Sequence, residues 1–182
     1  MNKKYEIIYA DPPWDYGARC KIGMAFDHFP CFSLKKLKKL PIQRLAAKNC
    51  LLFLWVVNSK LEDALKLAVV WKFRFITVGF VWQKPNRVLC GNYTMSSTEQ
   101  CLIFKQGCIP LPRGTRNERQ FLSKDASHIR CEKPDEIRKR ITRMFPTQNK
   151  LELFATQTVE GWDCWGNEII SDINLFNDSS TQ

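Results

Sequence analysis

The chain has no C-x-x-C pair, no long apolar run, no internal repeat and only two histidines, and each gap narrows what it can be. Its eight cysteines stand singly at 20, 31, 50, 90, 101, 108, 131 and 164, a spacing that suggests neither a zinc site nor a redox motif. They read as reduced thiols. The longest apolar stretch, Cys50 to Val57, is far shorter than the roughly 20 residues of a membrane helix, and no secretory leader opens the sequence. We therefore expect a cytoplasmic protein with no metal site and no membrane partner. What is present is size: 182 residues, 45% of them hydrophobic, suit one compact domain. We expect that domain over residues 1–170, followed by a flexible tail from 171 to 182.

Charge is the second feature. A formal net charge of +10 supplies the sequence-independent attraction that nucleic acids exploit, although a basic surface can also serve solubility alone. Between Pro112 and Arg143 the basic residues are 113, 116, 119, 124, 130, 133, 138, 139, 140 and 143, against acids at 118, 125, 132, 135 and 136. Lys35, Lys36, Lys38 and Lys39 crowd a second stretch.

Periodicity gives the order of elements. YEIIYA (5–10) is apolar on both faces, as a buried parallel strand is, and stops at the breaker Asp11-Pro12-Pro13. Ser33 can cap SLKKLKKL, whose leucines 34, 37 and 40 share one face. CLLFLWVV (50–57) predicts a second strand, Asn58-Ser59 a cap, KLEDALKLAVVW a helix, and FRFITVGFVW (73–82) a third strand. A polar loop (83–98) leads to the apolar run CLIF (101–104), and residues 105–131 read as one long surface loop. Pro134 then opens DEIRKRITRMF, with acids at the positive end of the helix dipole. LELFA (151–155) is the last predicted strand and GWDCWGNE (161–168) a turn. Strands alternating with helices argue for an α/β fold with a mostly parallel sheet flanked by helices, in which ligands bind beyond the carboxyl ends of the strands.

One such end carries Asp11-Pro12-Pro13-Trp14. Although Asp-Pro is a common strand-ending turn, this quartet also fits a particular chemistry: alkylation of the exocyclic amine of adenine. That amine is a poor nucleophile until acceptors hold its two hydrogens, and Asp11 with the Pro12 carbonyl can be those acceptors, since proline leaves the local backbone presenting carbonyls only. Trp14 can stack on or wall an extruded base, and electron-rich rings favour a sulfonium donor nearby.

The sequence resembles the DPPW amino-methyltransferases, the MT-A family related to the catalytic subunit of messenger-RNA adenosine methyltransferase, which has many phage and bacterial members. The likeness runs from about Ile7 to Glu168 and rests on ADPPW (10–14), LPIQRLAAKNCLLFLWVVN (40–58), GFVWQK (79–84), TEQCLIFKQG (98–107), KPDEI (133–137), KLELFA (150–155) and GWDCWGNE (161–168). It implies a Rossmann-like fold and S-adenosylmethionine as donor. It also implies that Asp11 meets both the target amine and the donor ammonium, that Lys133 pairs with the donor carboxylate, that Glu152 reaches the ribose, and that Asn167 and Glu168 lie at the donor adenine. Thr156 completes the expected donor set, standing where relatives often carry Arg. Phe29, Trp82, Lys84, Glu99, Arg113 and Arg116 form the expected substrate set.

The chain departs from its relatives at Met95, Ser97 and Thr156, and Arg130-Cys131 replaces their His-Ser, with His128 two residues upstream. Asp11 to Trp14 and Lys133 are intact. Neither a metal nor a general-base histidine is needed, because sulfonium transfer is a direct displacement whose surplus proton can leave later. The expectation is an adenine-N6 methyltransferase that flips a base of DNA into the DPPW pocket, gripping phosphates with the loop from Arg113 to Arg130 and with Lys35 to Lys39. Its setting would be a bacterial cytoplasm, the host's if the chain is phage- or prophage-encoded. The alternatives are the same reaction on RNA, or a silent nucleic-acid-binding partner subunit with the same fold.

Overall fold

The computed structural model describes residues 3–15, 31–84, 93–94, 96–123 and 133–176 of the chain. Seven strands and three α-helices run in the order β1 (Tyr5–Ala10), α1 (Leu34–Lys38), β2 (Ala46–Val57), α2 (Leu61–Val70), β3 (Arg74–Gln83), β4 (Thr98–Gln106), β5 (Phe121–Ser123), α3 (Asp135–Met144), β6 (Lys150–Leu153) and β7 (Asp163–Trp165). They form one sheet of order β5-β3-β4-β2-β1-β6-β7. The pairs β1–β2, β1–β6, β3–β5 and β6–β7 are parallel, while β4 runs antiparallel to both of its neighbours. The expected mostly parallel α/β sheet is the one observed, with a single reversed strand. The reversal is visible where β3 ends and β4 begins, the Lys84 amide donating to the Ser97 carbonyl at 2.8 Å and so closing the two strand ends on each other.

Each face has its own core. α1 and α2 cover one face, where Leu37, Leu40, Leu67 and Trp71 pack on Leu52, Leu54, Leu102 and Phe104. α3 covers the other, setting Ile137, Ile141 and Phe145 against Phe53, Trp55, Phe80 and Cys101. Burying each large apolar side chain contributes on the order of 1.5–3 kcal/mol before entropy is counted. Ser33 caps α1 as expected, accepting from the Lys36 amide at 3.4 Å.

Several expectations need correction. Asn58 and Ser59 do not cap α2; they form a short 3-10 turn, and the Asn58 side chain instead donates to the Ser96 hydroxyl at 2.8 Å and accepts from Gln100. The strand predicted from Cys50 begins at Ala46, whose polar neighbours Lys48 and Asn49 masked the apolar pattern. The turn expected over 161–168 contains β7, and the long loop contains β5; both strands have three residues, too few to show a period of two. Within the stretch expected as the tail, Asp172 pairs with Cys164 through its backbone amide (2.9 Å) and its carboxylate (2.8 Å), Leu175 is buried, and Phe176 packs edge-on against Trp165, while 177–182 lie outside the described residues.

Candidate active site

β1 and its neighbours place the site. On one side of β1 the sheet extends through β2, β4 and β3 to β5, and after β5 the chain returns to lay β6 and β7 on the other side of β1. The crevice beyond the carboxyl ends of β1 and β6 is therefore a topological switch point, where open α/β sheets hold their ligands. Asp11 follows β1 directly. Alternation along the strands puts Tyr9, Trp55, Glu99, Trp82 and Glu152 on the face that α3 covers, since directly paired residues share a face.

The Asp-Pro-Pro-Trp turn is held from three sides. The Trp14 amide donates to the Pro12 carbonyl, and the Phe32 amide to the Pro13 carbonyl, each at 2.8 Å. The Trp14 indole donates to the Trp55 carbonyl at 3.1 Å, and the Trp55 indole to the Tyr9 hydroxyl at 2.6 Å. Trp14 is only 5% exposed. Of the two roles expected for it toward an extruded base, that burial suits a wall better than a plate on which the base stacks. The Pro12 carbonyl keeps one lone pair beyond the one Trp14 uses.

Four charged side chains converge beside this turn in alternating sign. Lys133 lies 2.8 Å from Asp11 and 2.9 Å from Glu99, and the other oxygen of Glu99 pairs with Lys84. Lys133 also sits 5.4 Å from the Trp55 ring centre, and Lys84 sits 5.5 Å from that of Trp82. Side-chain exposure is 33% for Asp11, 14% for Lys133, 11% for Lys84 and 6% for Glu99, so Asp11 is the member of the chain that faces the crevice most openly. Burial raises the Asp11 carboxyl above its ordinary value and Lys133 only partly offsets it. Burial works the same way on Glu99, but two lysines outweigh it and hold that carboxyl low. Burial opposes the Lys133 charge too, yet Asp11 and Glu99 keep the ammonium well above its usual range.

At the β6 end, Glu152 lies within the sheet and Arg138 of α3 donates to it at 2.5 Å. Burial raises the Glu152 carboxyl, and Arg138 offsets part of that rise. Just beyond, Phe154 adopts φ +63, a left-handed conformation costly for a bulky residue. Edge-on rings of Phe32 (5.8 Å) and Trp165 (5.5 Å) hold it there. The bend sends Thr156 into solvent. Gly166 packs so close to the Ala155 carbonyl that a Cβ would stand 1.9 Å from that oxygen. This approach brings the exposed Asn167 and Glu168 alongside the bend.

Among the expected site residues, Asp11, Lys84, Glu99 and Lys133 thus form one cluster, with Trp82 buried against it, and Glu152, Thr156, Asn167 and Glu168 border the adjoining β6–β7 end. Phe29 lies outside the described residues, as do Met95 and 124–132. Arg113 does not project from its loop: its guanidinium lies 5.3 Å from the Phe145 ring centre. That loop docks on the end of α3, where the amides of Gly114 and Thr115 donate to Met144 (2.9 Å) and Arg143 (3.0 Å), and Glu118 pairs with Arg143 at 2.6 Å. A Cβ at Gly114 would meet the Arg143 carbonyl at 2.0 Å, which is why glycine stands there. Of the expected DNA-gripping arginines in its described part, Arg116 and Arg119 remain exposed. The residue that sequence reading missed is Arg138. Its position three residues after Asp135 in a helix gave no sign that it would be buried against Glu152.

A mixed sheet with one reversed strand, a switch-point crevice and an acid–proline turn at the end of β1 define an α/β enzyme of the methyltransferase type. Comparison with known proteins agrees: the family model described as MT-A70 matches residues 5–168. A Mycoplasma protein named Type II methyltransferase M.MunI is 40% identical over 92% of this chain and 79% of its own. Human N(6)-adenosine-methyltransferase catalytic subunit METTL3 is 27% identical over 91% of this chain and 28% of its own, and human N(6)-adenine-specific methyltransferase METTL4 is 22% identical over 93% and 38%. The chain belongs to the MT-A70 family of N6-adenine methyltransferases.

Proposed function

We propose that the chain transfers a methyl group from S-adenosylmethionine to the N6 amine of adenine in DNA, with the base flipped out of the duplex into the crevice beside Asp11. The observation that carries this reading is the turn itself: a partly open carboxylate and a proline carbonyl with a free lone pair, side by side at the switch point. The donor fits the adjacent charges, because an amino-acid terminus is complementary to a carboxylate and an ammonium 2.8 Å apart.

When bound, the donor supplies a methyl group on a sulfonium. Asp11 and the Pro12 carbonyl accept the two amine hydrogens, freeing the nitrogen lone pair to point at the methyl carbon. Lys133 pairs with the donor carboxylate, Glu152 holds the ribose under the grip of Arg138, and Asn167 and Glu168 border the donor adenine. Trp14 and Trp55 keep the turn rigid. Lys35, Lys36, Lys38 and Lys39, none of which has a carboxylate partner among the described residues, contact phosphates together with Arg116 and Arg119. A bacterial cytoplasm is the setting that the Mycoplasma relative favours.

DNA is preferred over RNA because the relative covering most of both chains is a Type II methyltransferase, a DNA-modification designation, whereas the relative named for adenosine is matched over 28% of its length. The test is nucleoside mass spectrometry after incubation of the protein and S-adenosylmethionine with adenine-unmethylated duplex DNA and, in parallel, RNA. N6-methyldeoxyadenosine is expected; methylation confined to RNA would overturn the substrate, and N4-methylcytosine the base.

A further inference from the structure

The alternating chain Asp11–Lys133–Glu99–Lys84 raises a difficulty for donor binding that its own geometry resolves. Lys133 already contacts two carboxylates, hydrogen-bonding Asp11 at 2.8 Å and lying 2.9 Å from Glu99, with the Trp55 ring centre 5.4 Å away. An incoming donor carboxylate competes with these partners. Asp11 is the one that can leave without loss, because the donor ammonium replaces Lys133 at its carboxylate. Glu99 is 6% exposed and, among the described residues, its other cation is Lys84, which it already holds through its other oxygen.

We infer that the Asp11–Lys133 ion pair occupies the place of the donor's amino-acid terminus and opens to admit it, while Glu99 is a positioning residue that holds Lys133 in place throughout the exchange. The inference rests on the donor reading above and adds to it a division of labour. One ion pair becomes two when the zwitterion inserts, and the net charge of the buried cluster does not change. Without Glu99, Lys133 would have Asp11 as its sole carboxylate among the described residues and would follow it, and the free enzyme would stay closed. Lys84 takes no part in the exchange; it neutralises the oxygen of Glu99 that Lys133 does not use. Glu99 stands in the expected substrate set, and a role through Lys133 places its effect on the donor instead.

The experiment is calorimetric titration of the full chain, wild type and Glu99→Gln, with two ligands that share a nucleoside thioether. S-adenosylhomocysteine carries the amino-acid terminus, and 5′-methylthioadenosine lacks it. Glu99→Gln should weaken S-adenosylhomocysteine at least tenfold and leave methylthioadenosine within about twofold, a split that loss of folding or of the nucleoside pocket would not produce. Unchanged S-adenosylhomocysteine affinity in Glu99→Gln would overturn the inference and leave the donor reading standing. An equal loss on both ligands would also overturn it, showing Glu99 to be structural. Failure of the wild type to bind S-adenosylhomocysteine would overturn the donor reading itself, and the inference with it.

Discussion

Arg138→Met tests whether Glu152 depends on its buried partner. Arg138 is 7% exposed, its guanidinium lies 2.5 Å from Glu152, and the Glu152 side chain is 13% exposed. Removing one member of such a pair leaves an uncompensated charge at a cost of roughly 3–5 kcal/mol. The other partner of Arg138, Asp135, is 55% exposed and can be re-solvated, so the lower end, about 3 kcal/mol, applies. For a domain of this size that is a fall in Tm of about 6–12 °C. The penalty should depend on pH. Burial already raises the Glu152 carboxyl, and losing Arg138 raises it further, so the folded value lies above the unfolded one. The ionised carboxylate then costs stability above that value, and the cost disappears as pH falls through it. Thermal unfolding at pH 8 and again near pH 5.5 should show the gap to wild type narrowing on acidification. Adding Glu152→Gln to Arg138→Met should recover at least half of the loss at pH 8. A gap that is constant with pH, or a double variant no more stable than the single one, would refute the reasoning.

Three further outcomes follow from the same geometry. Arg116→Gln with Arg119→Gln should lower the slope of log affinity for duplex DNA against log salt by up to about 0.9 per lost phosphate contact, whereas Arg113→Gln, stacked on Phe145, should leave the slope unchanged; binding measured across a salt series decides both. Because burial raises the Asp11 carboxyl and its ionised form is the stronger acceptor for amine hydrogens, kcat/KM should fall with decreasing pH along a limb above the ~4 of an ordinary aspartate. A limb at or below that value contradicts the assignment. Gly166→Ala should clash with the Ala155 carbonyl, displace Asn167 and Glu168, and weaken S-adenosylmethionine binding by about 1–3 kcal/mol through local overpacking; unaltered affinity by calorimetry would remove that loop from the donor site.

The sequence made the long elements legible, and for a physical reason. β1 and β2 bury both faces and read as continuous apolar runs, β3 reads as one although its first half is exposed, the CLIF centre of β4 stands out from its polar ends, and α3 carries its isoleucines at 137 and 141 on one turn-spaced face. β5 and β7 were not legible because three residues carry no period, and their strand state comes from pairing with β3 and β6. The reversed direction of β4 shows in tertiary pairing such as that of Lys84 with Ser97, which apolar patterning does not encode. At the site, the Asp-Pro-Pro-Trp turn announced its own chemistry, whereas the pairing of Lys133 with both Asp11 and Glu99 joins segments 122 and 34 positions apart. The docking of Arg113 on Phe145 is likewise a tertiary event: a loop arginine and an exposed phosphate contact look alike until the loop finds α3.

The most direct test of the account compares wild type with Asp11→Ala for N6-methyladenine formation on duplex DNA, with S-adenosylmethionine in excess and both proteins matched by circular dichroism. Asp11→Ala removes one of two acceptors at the nucleophile. Product should fall by at least the ~10²-fold scale of losing one well-placed transition-state hydrogen bond, while cytosine remains unmethylated with either protein. Equal N6-methyladenine from Asp11→Ala and wild type would contradict the account.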